Sequence, residues 1–261
     1  MYFFTTRPMW MLVLLVGLLT ALAMGGPFLV RRHVALERLS VNNEVAGFKF
    51  ATLGVLYAVL LAFVVVVVWE RFNDAEHAVA REAGAATTIY RLSWGMEGAP
   101  GARLREALSD YLTADLNQDW PAMAHGRGST LVTRALDSVY GQLVRFRPSD
   151  LRETAIQTEI MAQLGALTQA RRERLVRASG TVPGIIWFVL LVGAVLTICF
   201  TFFFGTRNIR AQALMTGALS LLILFALLIV ITVDRPFSGS VAVTPEPLEE
   251  VLADFRSPPA P

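Results

Sequence analysis

Four uncharged apolar stretches, each long enough to cross a bilayer, constrain this 261-residue chain more than anything else in it. They run over 9–30, 50–69, 184–205 and 211–233. Each is bounded by charge: Arg7 and Arg31, Lys49 and Glu70, Arg177 and Arg207, Arg210 and Asp234. A hydrocarbon core about 30 Å thick asks for roughly 20 apolar residues in a helix. Lipid offers no partner to an unpaired backbone amide, so helices are the expected form. The β-branched run from Val64 to Val68 favours a strand in water, but that weak propensity yields to burial in lipid. Composition agrees, with 54% hydrophobic residues and a mean hydropathy of +0.52. Charged residues are 17%, against roughly 25% in ordinary soluble domains.

These numbers exclude several classes of protein. A formal charge of +2 leaves no basic footprint, so nucleic acid is not an expected partner. The lone Cys199 closes no intramolecular disulfide, and no C-x-x-C pair exists to hold zinc or an iron–sulfur cluster. Ala21-Leu22-Ala23 has the form of a signal-peptide cleavage site. The apolar run continues past it to Val30, where Arg31 and Arg32 form a stop-transfer flank, so we read a membrane helix and leave cleavage open.

The layout that follows is all-α. Two membrane helices joined by a short loop occupy 1–69, a helical wet insert 70–183, two further membrane helices 184–235, and a Pro-rich acidic tail 236–261. The insert is charge-balanced, with fourteen Arg against fourteen Asp and Glu. Between Glu70 and Leu92 the first breaker is Gly84, so the second membrane helix is expected to run on into water as one long helix. Further helices are expected over 102–116, 130–146 and from a cap at Ser149 or Asp150 to about Ala178, with a loop over 119–129. The tail should be mostly extended or disordered apart from a short helix over 248–255.

Loops one and three hold Arg31, Arg32, Arg38, Lys49, Arg207 and Arg210 against Arg7 alone, which by the positive-inside rule puts the insert outside. Arg71, Arg81, Arg171, Arg172, Arg174 and Arg177 lie near the insert's membrane ends and bring the two sides close to equality, so the orientation stays open.

No motif of an enzyme is present: G-x-x-x-x-G-K-[ST], G-x-G-x-x-G, G-x-S-x-G and H-E-x-x-H are all missing, and neither a cofactor nor a metal is expected. Asp74-x-x-His77 is the best metal-like spacing, and a solvated ion-pair face explains it more simply. The spans hold no charge, which argues against a proton relay or a charge-driven transporter. A channel gated by dewetting at an apolar ring remains open, with Phe63 and Val64 to Val68, Val67 among them, as the ring if several copies assemble. Gly47, Ala51 and Gly54, or Gly193, Ala194 and Thr197, would allow close helix approach. Polar residues gather at the membrane borders: Asn42, Asn43 and Glu44 before the second span, Glu70 and Arg71 after it, and Asp234, Arg235, Pro236 and Phe237 at the end of the fourth. Glu70 and Arg71 are expected to meet Asp234 and Arg235 as an interfacial clamp or a pore-mouth charge ring.

The same residues bear a resemblance. Asn42-Asn43-Glu44-Val45-Ala46-Gly47-Phe48, Gly54-Val55-Leu56-Tyr57-Ala58-Val59-Leu60-Leu61-Ala62-Phe63, Val68-Trp69-Glu70 and Glu82-Ala83 resemble the bestrophin-like domain proteins of bacteria. So do Asp119-Trp120-Pro121-Ala122-Met123, Ala170-Arg171-Arg172-Glu173-Arg174-Leu175 and Asp234-Arg235-Pro236-Phe237-Ser238-Gly239, over about 39–252 in all. The resemblance implies kinship with bestrophins, pentameric anion channels that also place a helical insert between spans two and three, on the cytoplasmic side. No bestrophin pore or calcium-clasp motif matches residue by residue, so neither chloride selectivity nor calcium gating carries over. The resulting expectation is a multi-pass protein of the bacterial inner membrane, in contact with the lipid bilayer, homo-oligomeric, and passing inorganic ions. A membrane-anchored interaction or stress-response module whose insert binds a partner is the alternative.

Overall fold

A computed structural model of the chain describes residues 8–180 and 182–256. All regular elements among these residues are helical: α1 (Met9–His33), α2 (Leu36–Ser40), α3 (Asn43–Ser93), α4 (Ala99–Ala114), a π-helical turn (Asp115–Asp119), α5 (Trp120–Met123), α6 (Thr130–Arg145), α7 (Leu151–Arg177), α8 (Gly184–Phe200) ending in a 3-10 turn (Thr201–Phe203), α9 (Ile209–Val233) and α10 (Glu246–Arg256). Four of them, α1, α3, α8 with its terminal turn and α9, are long and apolar enough to cross a membrane. The chain divides into two compact units, 1–70 with 181–234 and 71–180 with 235–261. The 51-residue α3 contributes to both.

In the first unit α9 packs along α1, with Leu12 and Val16 against Leu224 and Leu228. Gly217 lets the two approach, since a Cβ there would lie 2.8 Å from Met24 Sδ. Lipid supplies no hydrophobic drive between helices, so small residues and polar staples fix their packing. Gly193 of α8 meets the Tyr57 ring at a distance that admits no side chain, with an added Cβ 2.5 Å from Cδ2. The Tyr57 hydroxyl donates to the Leu190 carbonyl at 3.1 Å. Helix α8 stops at Phe200 rather than reaching Gly205, and the buried Gln212 amide takes up the carbonyls this releases. It donates to Thr201 O at 3.1 Å and Phe204 O at 2.7 Å.

In the second unit α4 packs against α6, and their buried positions follow helical periodicity: Leu104, Leu108, Tyr111 and Leu112 on α4, Val132, Leu136, Val139 and Leu143 on α6. The start of α7 is capped by Asp150, which accepts from the Glu153 amide at 2.7 Å. The Glu153 carboxylate accepts in turn from the Ser149 amide, the Ser149 hydroxyl and the Glu97 amide, which together hold it below the usual carboxylate range.

Two expectations need correction. The loop expected from residue 119 begins only after Met123, because Pro121 falls in the first turn of α5, where its missing N–H breaks no bond. The tail is not mostly extended. Pro236, Phe237 and Ser238 are buried, the Val243 amide donates to Pro236 O at 2.7 Å, and α10 buries Leu248, Val251 and Leu252. Its helix holds the expected 248–255 with a residue or two more at each end. Residues 257–261 of the expected tail lie outside the described residues.

Candidate functional site: an outward apolar stripe and a buried charge network

Along α3 the residues Leu56, Val59, Phe63, Val66 and Val67 recur at helical spacing, and all face outward. Phe63 is 67% and Val67 46% exposed, whereas Val64 and Val68, one residue on from each, are buried within the unit. The valine run therefore splits between packing and an unpartnered face. On the inner side of that face an apolar groove of about 700 Å³ runs between α3, α8 and α9, lined by Gly54, Ala58, Ala62, Thr197, Ile223 and others.

The border residues behave differently from one another. Asn43 is a staple: its Nδ2 donates to the Gly205 carbonyl at 2.7 Å and its Oδ1 accepts from the Gly205 amide at 2.9 Å. Gly205 is obligatory there, because a Cβ would stand 2.6 Å from the Ser40 nitrogen. Arg31 Nη1 adds a bond to Thr206 O at 2.6 Å, tying the end of α1 to the same loop. Asn42 and Glu44 are exposed beside this staple. Glu70 and Arg71 are exposed on α3, while Asp234 is buried and accepts from the Val182 amide at 2.9 Å. Phe237 is buried against Trp120, edge to face with ring centroids 5.6 Å apart, and Arg235 and Pro236 lead into that contact.

The second unit contains a network that reasoning from sequence did not assemble. Arg174, fully buried, lies between two fully buried carboxylates: Nε donates to Glu82 Oε2 at 2.9 Å, and Nη2 to Asp115 Oδ1 at 2.5 Å. The Tyr111 hydroxyl donates to Glu82 Oε1 at 2.5 Å. The guanidinium also lies 5.1 Å from the Trp120 ring centre. One turn earlier on α7, Arg171 donates to Asp119 Oδ2 at 2.7 Å, and Asp119 Oδ1 accepts from the Ser129 amide at 2.5 Å. The wide turn 115–119 directs Asp115 and Asp119 inward and leaves Asn117 and Gln118 in solvent.

Three carboxylates facing two guanidiniums would leave one buried negative charge uncompensated, a costly state. The network avoids it by protonation. Burial, then the neighbouring Glu82 carboxylate, pushes Asp115 up to about 8, against the lesser opposing pull of Arg174. Its Oδ2 has no hydrogen-bond partner among the described residues. Burial and the same carboxylates raise the Tyr111 hydroxyl well above its ordinary value. Burial disfavours the Arg174 charge, but Glu82 and Asp115 outweigh it and hold the guanidinium ionised.

Asp74 forms a surface pair with Arg177 at 3.1 Å, and Glu173 pairs with Arg81, so the Asp74-x-x-His77 face is an ion-pair surface. Among the described residues no group of three or more potential ligands could hold a metal.

A family model described as Bestrophin-like domain matches residues 6–248. No curated protein matches the chain. Among solved structures, a mutant of a bacterial bestrophin homologue from Klebsiella pneumoniae superposes with a TM-score of 0.72 at 15% identity, over 94% of this chain and 99% of that one. The Klebsiella pneumoniae homologue solved by Zn-SAD phasing gives 0.69 at 15% identity, over 93% and 98%. A mutant described only as a membrane protein gives 0.72 at 16% identity, over 93% and 97%. At such identities the likeness is one of fold.

Proposed function

This chain belongs to the Bestrophin-like domain family, and on that premise we propose that it is a multi-pass protein of the bacterial inner membrane that assembles with copies of itself to pass inorganic ions. One observation carries this reading: the Leu56, Val59, Phe63 and Val67 face of α3 is exposed among the described residues. Around a symmetry axis such a face forms an apolar ring, which gates by holding water out. Spans without charge fit a path that binds ions weakly, and they give a proton relay nothing to work with. The family is channel-like, which supports that reading.

The test is conductance of purified protein in planar bilayers. Discrete ion currents are expected, and Val67→Ser should raise them severalfold by wetting the ring. Leu14→Ser, on a comparably exposed face of α1, should leave them unchanged. Silence in several salts from protein that is monomeric by native mass refutes the proposal. Currents that respond equally to both substitutions remove α3 from the pore.

A further inference from the structure

In the second unit, Pro100 and Arg103 of α4 face the end of α6 and the residues after it, Gln142, Arg145, Phe146 and Arg147, across a cleft of about 420 Å³. Three of the six lining residues are arginines and none is acidic. Four guanidiniums of this unit find carboxylates, those of Arg81, Arg171, Arg174 and Arg177. Arg103, Arg145 and Arg147 have no hydrogen bond or ion pair among the described residues. All three are exposed, and three like charges lining one concavity raise the local potential that attracts an anion.

The walls are fixed in place. The Gln157 amide donates to Leu143 O at 3.0 Å and to Phe146 O at 3.3 Å, which pins the backbone that bears Arg145 and Arg147. Phe146, between them in sequence, is buried and lines the cleft. On the other side the chain turns at Gly98 with φ +72°. Gly101 lies so close to the preceding loop that an added Cβ would fall 2.6 Å from Ser93 O, and Arg105 Nη1 donates to that same carbonyl at 3.1 Å. The backbones bearing all three arginines are thus held, which lowers the ordering cost of binding.

We propose that this cleft binds a multiply charged oxyanion of the diphosphate kind. Guanidiniums match phosphate oxygens two at a time, whereas a single halide would meet only a fraction of the converging charge. Gln142 adds an uncharged donor at the rim, and the volume admits more than one tetrahedral group. The chemistry is shared by a soluble diphosphate and by a phosphate-bearing lipid headgroup. The inference stands apart from the conduction proposal, because its readout is binding and not current.

The experiment titrates inorganic pyrophosphate into the full-length protein in detergent at low salt, followed by calorimetry. Saturable binding at one site per chain is expected, and Arg145→Gln and Arg147→Gln should each weaken it about tenfold, one charge-assisted contact apiece. Arg134→Gln, a surface arginine outside the cleft, should leave it unchanged, and chloride at equal ionic strength should not substitute. Melting of each variant without anion should match that of the parent, since these side chains are exposed and make no bond that folding needs, which separates lost binding from lost folding. Absence of saturable heat overturns the proposal, as does an Arg134→Gln effect equal to that of Arg145→Gln. Repeating the titration in nanodiscs with and without phosphatidate assigns the source: competition by the lipid points to a headgroup, and unchanged binding to a soluble anion.

Discussion

Raising the pH from 6 to 8 should destabilise the second unit, and Asp115→Asn should abolish the effect. In the folded chain Asp115 keeps its proton up to about pH 8, while in the unfolded chain it releases it near the ordinary value of 3.8. The folded state therefore binds the extra proton between those limits. The resulting stabilisation is fully present below the unfolded value and is lost as the pH rises through the folded one. Within that window a single proton changes stability by about 1.4 kcal/mol per pH unit. Two units, with allowance for partial titration near 8, come to about 2 kcal/mol. For a unit of this size that corresponds to a fall in Tm of about 4–8 °C. The assay is thermal unfolding of detergent-solubilised protein followed by tryptophan emission, to which Trp94 and Trp120 of this unit contribute, at pH 6, 7, 8 and 9. Asparagine keeps the oxygen that accepts from Arg174 and has no proton to lose, so the difference between parent and variant isolates this one group from every other titration. Parallel melting curves for the two proteins across the series would refute the assignment of the proton to Asp115.

Arg174→Met should cost the second unit about 3–5 kcal/mol by stranding Glu82 among buried apolar groups, and adding Glu82→Gln should recover part of that loss in the same melting assay. Asn43→Ala breaks both bonds to Gly205 and should lower stability by about 1–3 kcal/mol. Thermal unfolding in detergent measures it, and an unchanged Tm would remove the staple from the account. Gly193→Ala drives a methyl into the Tyr57 ring and should cost about 1–3 kcal/mol. The cost should vanish in a Tyr57→Ala background, and a penalty that persists there would place the clash elsewhere.

Much of the fold was legible because lipid imposes a simple rule. Length without charge identified the four spans, and the absence of breakers carried the second of them far into the insert. What was illegible has physical causes. Pro121 reads as a stop, yet a first-turn position tolerates it, so a short helix stands over 120–123 where a loop was expected. The buried network was hidden because charge usually marks a solvated face. One signal was nevertheless available. On α3 the residues Ala75, Ala78, Val79, Ala86 and Ile89 form a continuous buried stripe, and Glu82 falls within it. A carboxylate in an apolar stripe requires a buried cation, and Arg171-x-x-Arg174 on α7 presents two on one face. Among the border residues, Asn43 was grouped by polarity alone, and polarity does not tell that its amide pairs with the Gly205 backbone.

The two units are held by opposite physics, and this explains which residue types recur in each. Apolar contact in a bilayer distinguishes a helix neighbour poorly from a lipid tail, so specificity must come from shape and from hydrogen bonds that lipid cannot imitate. Gly193 against Tyr57, Gln212 under the end of α8 and Asn43 on Gly205 are such contacts, and the first and last join segments far apart in sequence. In the second unit apolar burial is plentiful but by itself unselective. There a network that pairs Arg174 with Glu82 and Asp115, and Arg171 with Asp119, adds the selectivity. The residues from which the family resemblance was read fall at these points, Asn43, Tyr57, Glu82, Asp119, Arg171 and Arg174 among them. Their spacing in the chain therefore reflects the assembly of two scaffolds, and the conducting role proposed for Phe63 and Val67 falls to side chains that neither scaffold uses.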